Sequence, residues 1–430
     1  MPPKTVKESV MKENYLQYEE ALRNYVLDRL PQVLKKPHSF IHYPFIDPGS
    51  VYDGNVWDWD TYWSVYAILN LTKYMEPEEE EMILIHAKGN VENFFDHQLE
   101  DGYIPMMIEV ADWPEPYLNM KHREGVLMNM HKPFLCQQIC LISDYCQDYE
   151  WVGEYRKNLS AYFECYKKNY YFENVGLYVW CDDIMIGMDN DPASFGRPKF
   201  STANIFLNSF MVMELAAMGK ICRKLHDEES AEKYEEESAV LAEAVRRECW
   251  DKRDQFFYSV DVDIHTRSFD WFHQGLGVFW KSLPIKIRAW SSFLPMFAGF
   301  ATKEEAERMK AHMTDTSTFW APYGITSLAM DEKMFNLEAT NNPSNWLGPL
   351  WIVCEYICFR ALLEYGYEEE AAELARRTLT LLGRDLLETG CLHEYYDPFT
   401  GKGIMNGGFL NWNILVLNMT EELRERKILL

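Results

Sequence analysis

What the chain lacks is informative first. Its opening residues, Met1 to Tyr15, are polar and charged without the apolar core of a secretion signal. No later stretch approaches the roughly 18 consecutive apolar residues expected of a membrane span. A cytoplasmic location and no membrane partner are the expectations. Positive charge is scarce: 42 basic against 67 acidic side chains leave a formal charge of −25, a field that repels phosphate backbones and anionic lipid surfaces, so nucleic acid is excluded as a partner. No glycine-rich phosphate loop follows a strand pattern, which argues against a nucleotide enzyme. The ten cysteines show no disulfide-like spacing. Cys136, Cys140, Cys354 and Cys358 fall inside apolar helical patterns and read as buried free thiols. A zinc site drawn from Cys136, Cys140 and His131 lacks a fourth ligand. No metal and no cofactor are expected.

What is abundant is aromatic. With 14 Trp, 26 Tyr and 24 Phe in 430 residues, the chain has ample surface for a large core. Helical periodicity runs nearly throughout, in two alternating kinds. Aromatic-rich segments, apolar on most sides, begin near Asp58, His131, Ala203, Trp271, Asn345 and Trp412, at intervals of 67 to 74 residues. Between them lie charged segments with a single apolar stripe, at about Tyr15–Leu30, Glu79–Leu99, Glu150–Tyr170, Glu228–Cys249, Lys303–Met313 and Tyr367–Leu387. A helix apolar all round must be buried, and one with a single stripe lies outside. Six of each predict an all-α fold, an (α/α)6 barrel of six inner and six outer helices, with residues 1–430 as one domain. The fourth unit is weakest, because Pro284 and Pro295 interrupt it.

Long loops rich in Gly, Pro, aromatics and carboxylates precede the inner segments, whereas links such as Gly366 and His226-Asp227 are short. Parallel inner helices would bring all the long loops to one rim. The first loop, from Asp47 through Tyr52 and Trp57-Asp58-Trp59-Asp60-Thr61-Tyr62 to Trp63, sets indoles beside carboxylates. That pairing suits a sugar, whose C–H face stacks on aromatics while its hydroxyls donate to carboxylate oxygens. It also suits an acid-capped helix start with Trp in the core. The third loop runs from Trp180 through Asp182-Asp183 and Gly187-Met188-Asp189-Asn190-Asp191 to Arg197. Apolar neighbours of Asp189 would raise its pKa toward that of a usable acid. The other acids read as turn or cap residues, or as ligands of a calcium ion, although no complete calcium loop is present. The sixth loop carries His393-Glu394-Tyr395-Tyr396-Asp397-Pro398, with Trp412 opening the last inner segment. On this pattern alone Glu394 is a catalytic base or a surface salt-bridging residue. Loops entering the third and sixth inner helices face each other across the ring, which suits an acid and a base kept apart.

At these residues the chain resembles glycoside hydrolase family 63 and, more distantly, the family 37 trehalases. The motifs are Trp57-Asp58-Trp59-Asp60, Gly187-Met188-Asp189-Asn190, Trp346-Leu347-Gly348-Pro349-Leu350-Trp351 and Glu394-Tyr395-Tyr396-Asp397-Pro398 with Thr400-Gly401. The resemblance implies an inverting glycoside hydrolase in which Asp189 protonates the glycosidic oxygen and Glu394 activates water. It also implies that Trp57 and Asp60 contact the bound sugar. Asp58, Trp59, Tyr62, Trp180, Asn345, Trp346, Gly348, Trp351, Tyr395 and Trp412 complete the candidate sugar-binding set. Where the family usually has Arg, Leu347 stands. Compact members act on α-glycosides of glycerate, so a glucosylglycerate or mannosylglycerate is the expected small carbohydrate substrate. Its carboxylate needs cationic or amide donors, which Lys132, with Arg197 and Gln137, could supply; His131 also belongs to the candidate substrate-binding set. A neutral disaccharide such as trehalose or kojibiose would need none. A sugar epimerase or isomerase on the same barrel is the rival class; it would work through His131, His273 or His393.

Overall fold

The computed structural model describes residues 4–108, 127–184, 186–264, 280–338 and 344–425, with side chains from Tyr15 onward. Twelve helices alternate along these residues. The outer ones are α1 (Lys4–Val33), α3 (Pro77–Asp96), α5 (Arg156–Tyr170), α7 (Glu228–Cys249), α9 (Lys303–Met313) and α11 (Glu368–Thr389). The inner ones are α2 (Asp58–Leu69), α4 (Leu135–Cys146), α6 (Ile205–Lys224), α8 (Leu294–Phe297), α10 (Ile352–Glu364) and α12 (Leu415–Glu425). Each inner helix packs on the next, α2 on α4, α4 on α6, α6 on α8, α8 on α10, α10 on α12, and α12 back on α2. That closed hexagon is an (α/α)6 barrel, with α6 and α12 on opposite sides.

The burial follows the sequence pattern. Every residue of α2 is buried, whereas α7 buries one stripe that includes Ala231, Tyr234, Leu241 and Val245, and leaves most of its glutamates in solvent. Against expectation, α6 does have the length and apolarity of a membrane span; 78% of its most apolar window is buried inside the ring, as a core helix requires. On the axis, Trp63 of α2 meets Phe134, Phe210, Phe297 and Tyr356 at ring-centroid distances of 6.1–6.5 Å, so aromatics from five units fill the middle. Away from the long loops, Arg360 of α10 donates to the hydroxyls of Tyr66 (2.6 Å) and Tyr356 (2.9 Å), and Tyr356 donates to Glu422 of α12 (2.8 Å). This buried network ties three inner helices together.

Three inner helices begin later than the sequence reading placed them. Residues from His131 and from Asn345 form irregular approaches before Leu135 and Ile352, and Trp412 lies in a 3₁₀ turn, Asn411–Ile414, before α12. The fourth departs most. Trp271, its expected start, lies outside the described residues, and the inner element of that unit is a 3₁₀ turn, Trp290–Phe293, leading into the single turn of α8, where Pro295 occupies the first turn. All ten cysteines are free thiols, and Cys136 and Cys140 face Met218 and Ala217 of α6.

Two short antiparallel pairings hold the long loops to one another. Val56 and Trp57 pair with Ile108 and Met107, joining the first loop to the second. Thr202 and Ala203 pair with Asp261 and Val260, joining the third to the fourth. Inside the barrel, buried carboxylates serve the backbone. Glu214 of α6 accepts Cys136 N (2.7 Å) and Gln137 N (3.2 Å) in the first turn of α4, donors that a helix start leaves unsatisfied.

Candidate active site

The first loop folds on Asp47, whose carboxylate accepts the amides of Gly49 (3.0 Å) and Gly54 (2.9 Å). The turn presents Tyr52 toward the barrel mouth, where its hydroxyl donates to Glu394 Oε1 at 2.8 Å. Asp58 and Asp60, two positions apart at the start of α2, diverge by about 200° around the helix and do different work. Asp58 is sealed: it accepts Lys132 N (2.7 Å) and Trp59 N (2.7 Å) and pairs with Lys132 Nζ (2.7 Å). Asp60 lines the cleft, its Oδ1 accepting from Asn411 Nδ2 at 2.6 Å. Burial pushes the Asp60 carboxyl up to about 8, against the pull of Lys132.

In the third loop Gly187 adopts φ +89° and lies flat on the indole of Trp59; a Cβ there would meet that ring at 3.0 Å. Asp189 follows, half-buried on the cleft wall. The other acids of this loop are turn residues. Asp191 accepts from Ser194 Oγ and Asn204 Nδ2 (2.9 Å each), Asp182 from the Ile184 amide (3.0 Å), and Asp183 from the Gly196 amide (2.6 Å). Asn190 ties the loop to the fifth one through Trp346 N (2.6 Å) and Asn345 Oδ1 (3.2 Å).

Glu394 is buried at the cleft floor with a donor on each oxygen, Tyr52 on Oε1 and Asn406 Nδ2 on Oε2. Burial raises its pKa to about 7; the two donors pull it down, and the negative charge of Asp189 pushes it further up. The two carboxyls therefore share one cleft and one electrostatic field.

That cleft encloses about 570 Å³, counting its open mouth. Trp57, Trp59, Trp351 and Trp412 form much of its wall, with Asp60, Lys132, Asp189 and Glu394 as its charged groups. Behind it the indoles continue: Trp346 stacks on Trp351 at 3.9 Å, and Trp59 approaches Trp412 at 5.4 Å. The buried indole N–H groups of Trp57 and Trp412 find no acceptor among the described residues.

The remaining candidate residues, which the structure does not bring to this wall, have other partners. Tyr62 packs in the aromatic core beside Trp63 (4.9 Å) and Phe134 (5.0 Å). His131 is buried against Phe94 (4.4 Å) with Nδ1 on the Lys132 carbonyl (2.6 Å), and burial lowers its pKa to about 4. Gln137 donates to Pro133 O (2.6 Å), and Arg197 is held by Asp261 and by Thr202 Oγ1 (3.1 Å). Trp180 stands behind the wall near Phe206 (6.4 Å). Asn345 accepts Trp351 Nε1 (2.9 Å) on its carbonyl, Gly348 N donates to Ser327 Oγ (3.0 Å), and Tyr395 supports Trp351 at 4.7 Å. With Trp346 these build the wall from behind. Of the histidines an epimerase would use, His131 and His393 do not line the cleft, and His273 lies outside the described residues. Sequence reasoning missed Tyr52, Met106, Gly187 and Ser344 on the wall, and Asn406 and Asn411, which hold Glu394 and Asp60. Only Tyr52 and Gly187 sat inside stretches already singled out.

The fold has known counterparts. The mannosylglycerate hydrolase of Thermus thermophilus, a family 63 structure in complex with glucose, superposes with a TM-score of 0.68 over 92% of this chain and 99% of that one, at 19% identity. By sequence, the chain is 25% identical over 293 residues to a probable mannosyl-oligosaccharide glucosidase of Schizosaccharomyces pombe, covering 64% of this chain and 33% of that protein. It is 24% identical over 205 residues to a mannosylglycerate hydrolase of Rubrobacter radiotolerans, covering 47% of this chain and 40% of that one. The matched region thus spans between a third and two fifths of these relatives' lengths. The model of the mannosylglycerate hydrolase MGH1-like glycoside hydrolase domain matches residues 55–412, from the first loop to Trp412 and across both candidate carboxylates. The chain belongs to that glycoside hydrolase family.

Proposed function

We propose that this chain hydrolyses a small α-glucoside or α-mannoside with inversion, Asp189 acting as general acid and Glu394 as general base. The observation that carries the reading is the pair itself: two carboxyls from loops entering opposite inner helices, on one Trp-walled cleft, each in the other's field. Inversion requires an acid and a base roughly 6.5–9.5 Å apart, with water between the base and the anomeric carbon. Loops from opposite sides of the ring suit that spacing.

The chemistry follows from the environments. Glu394 accepts hydrogen bonds on both oxygens, which favours its carboxylate, and a pKa of about 7 suits a base working near neutrality. It takes a proton from water as the water oxygen bonds to the anomeric carbon. On the other ring face Asp189 gives its proton to the departing glycosidic oxygen. Positive charge develops on the sugar, and the carboxyls around the cleft stabilise it. The indoles hold the ring's C–H face, and Asp60 bonds its hydroxyls.

Relatives named for mannosylglycerate make the glycerate glycosides of mannose and glucose the first substrates to try. A second reading, a neutral disaccharide such as trehalose or kojibiose, is favoured by the state of the groups expected to hold a carboxylate. Lys132 Nζ lies 2.7 Å from Asp58, Arg197 is bound to Asp261, and Gln137 to Pro133. Turnover of glucosylglycerate, mannosylglycerate, trehalose and kojibiose tests both readings, with glucosylglycerol beside glucosylglycerate as a pair differing only in the carboxylate. Asp189→Asn and Glu394→Gln should each lower kcat by about 10²–10⁴ with little change in KM. Near-normal turnover by Glu394→Gln on a good substrate would refute the base assignment.

A further inference from the structure

His393 adjoins Glu394 in sequence, yet its ring reaches outward to α11. Its Nδ1 lies 2.8 Å from Oδ2 of Asp385, a buried carboxylate on that outer helix. A carboxylate can only accept, so Nδ1 carries the proton. The same Oδ2 accepts the Tyr396 hydroxyl (3.0 Å), whose oxygen accepts the amide of His393 (2.9 Å). Asp385, His393 and Tyr396 thus close a ring around the backbone that bears Glu394.

The returning strand of the sixth loop lies on this ring. A Cβ on Gly403 would stand 2.2 Å from His393 Cγ, and one on Gly407 would stand 3.6 Å from Nε2, so the backbone passes flat over the imidazole. Between those glycines, Met405 O accepts the Glu394 amide (2.9 Å), and Asn406, at φ +47°, gives its Nδ2 to Glu394 Oε2. Asn413 Nδ2 fastens the His393 carbonyl at 2.8 Å. A buried charge is costly to hold, and here it serves the segment that aims one side chain at the cleft.

We propose that Asp385 and His393 are positioning residues: their hydrogen bond, closed through Tyr396, fixes Glu394 and its donor Asn406 relative to each other. This rests on Glu394 being the base. Loss of the bond frees the returning strand from the imidazole, Asn406 drifts from Oε2, and Glu394 loses both its aim and a donor that favours its ionised form. The acid limb of the pH–rate profile then moves to higher pH. Around Glu394 the other ionisable groups are Tyr52, Asp60, Lys132, Asp189 and Tyr395, which these substitutions leave in place. Around Asp385 they are Tyr25 and Arg29 of α1, Cys391 and Tyr396.

The test compares His393→Leu, His393→Asn and Tyr396→Phe with wild type and Glu394→Gln, on the best substrate of the panel above. Each is measured for kcat, KM, the acid limb of kcat and melting temperature. His393→Leu should lower kcat by about tenfold to a hundredfold, the loss that a misplacement of about 1 Å brings, with KM within about threefold. Its acid limb should move up in pH. His393→Asn, whose amide can stand where Nδ1–H stood, should restore both. Tyr396→Phe should shift the limb the same way, and it decides the matter if His393→Leu does not fold. An inactive Glu394→Gln beside His393→Leu and Tyr396→Phe variants with normal kcat and limb would overturn the proposal while sparing the base. So would a lower melting temperature with an unmoved limb. Full activity in Glu394→Gln would remove the base reading and this inference with it.

Discussion

Tyr52 and Glu394, 342 positions apart in the chain, meet through a 2.8 Å hydrogen bond at the floor of the cleft. The contact joins the first long loop to the last and so closes the circle of loops over the barrel mouth. With Asn406 on the other oxygen, it holds the carboxyl in one orientation and opposes the effect of burial on its ionisation.

Removing either donor should therefore move the working pH. Both lower the pKa of Glu394, which stands at about 7, so Tyr52→Phe and Asn406→Leu should each raise it. The ionised form is the base, so activity falls as pH drops through that value, and in both variants it should fall sooner. The pH profile of kcat on a good substrate checks this, and a limb displaced to lower pH would contradict it.

Glu394 should also weaken the fold at the pH where it works. Its folded pKa of about 7 lies above the ordinary 4.5, so the unfolded chain ionises more readily. The penalty is absent below about pH 4.5, grows between the two values, and is complete above pH 7. By the usual 1.36 kcal/mol per pKa unit it reaches about 3 kcal/mol. Glu394→Gln should melt higher than wild type at pH 8, and the gain should shrink toward pH 5. Calorimetry across that range reads it directly.

The inner ring should depend on its buried ion pair. Arg360→Met leaves Glu422 buried without its cation, a loss of about 3–5 kcal/mol in urea denaturation. Replacing both, Arg360→Met with Glu422→Leu, should recover much of that. The cleft lies elsewhere, so kcat measured well below the melting temperature should stay near wild type.

Much of this architecture was legible in the residues, and the exceptions have physical causes. Lys303–Met313 and Glu228–Cys249 announced their helices because one apolar stripe among charges has a single solution. Asp58 and Trp57 marked the first loop. The fourth unit was misplaced because an inner element of about two turns, interrupted by Pro295, offers too few residues for a period to show. Asp58 read as a sugar ligand because a one-dimensional motif does not reveal that it faces Lys132 while Asp60 faces the cleft. Asn406 and Asn411 were invisible: single amides far from the residues they hold carry no local pattern.

The central claim is that two carboxyls act on opposite faces of an α-glycoside. Proton NMR of the first product from the best α-glycoside substrate, recorded before mutarotation, reads the face that water attacks. The account predicts that the β-anomer of the released sugar appears first. The α-anomer as initial product would mean retention, and the assignment of Asp189 and Glu394 as an inverting acid and base would fall.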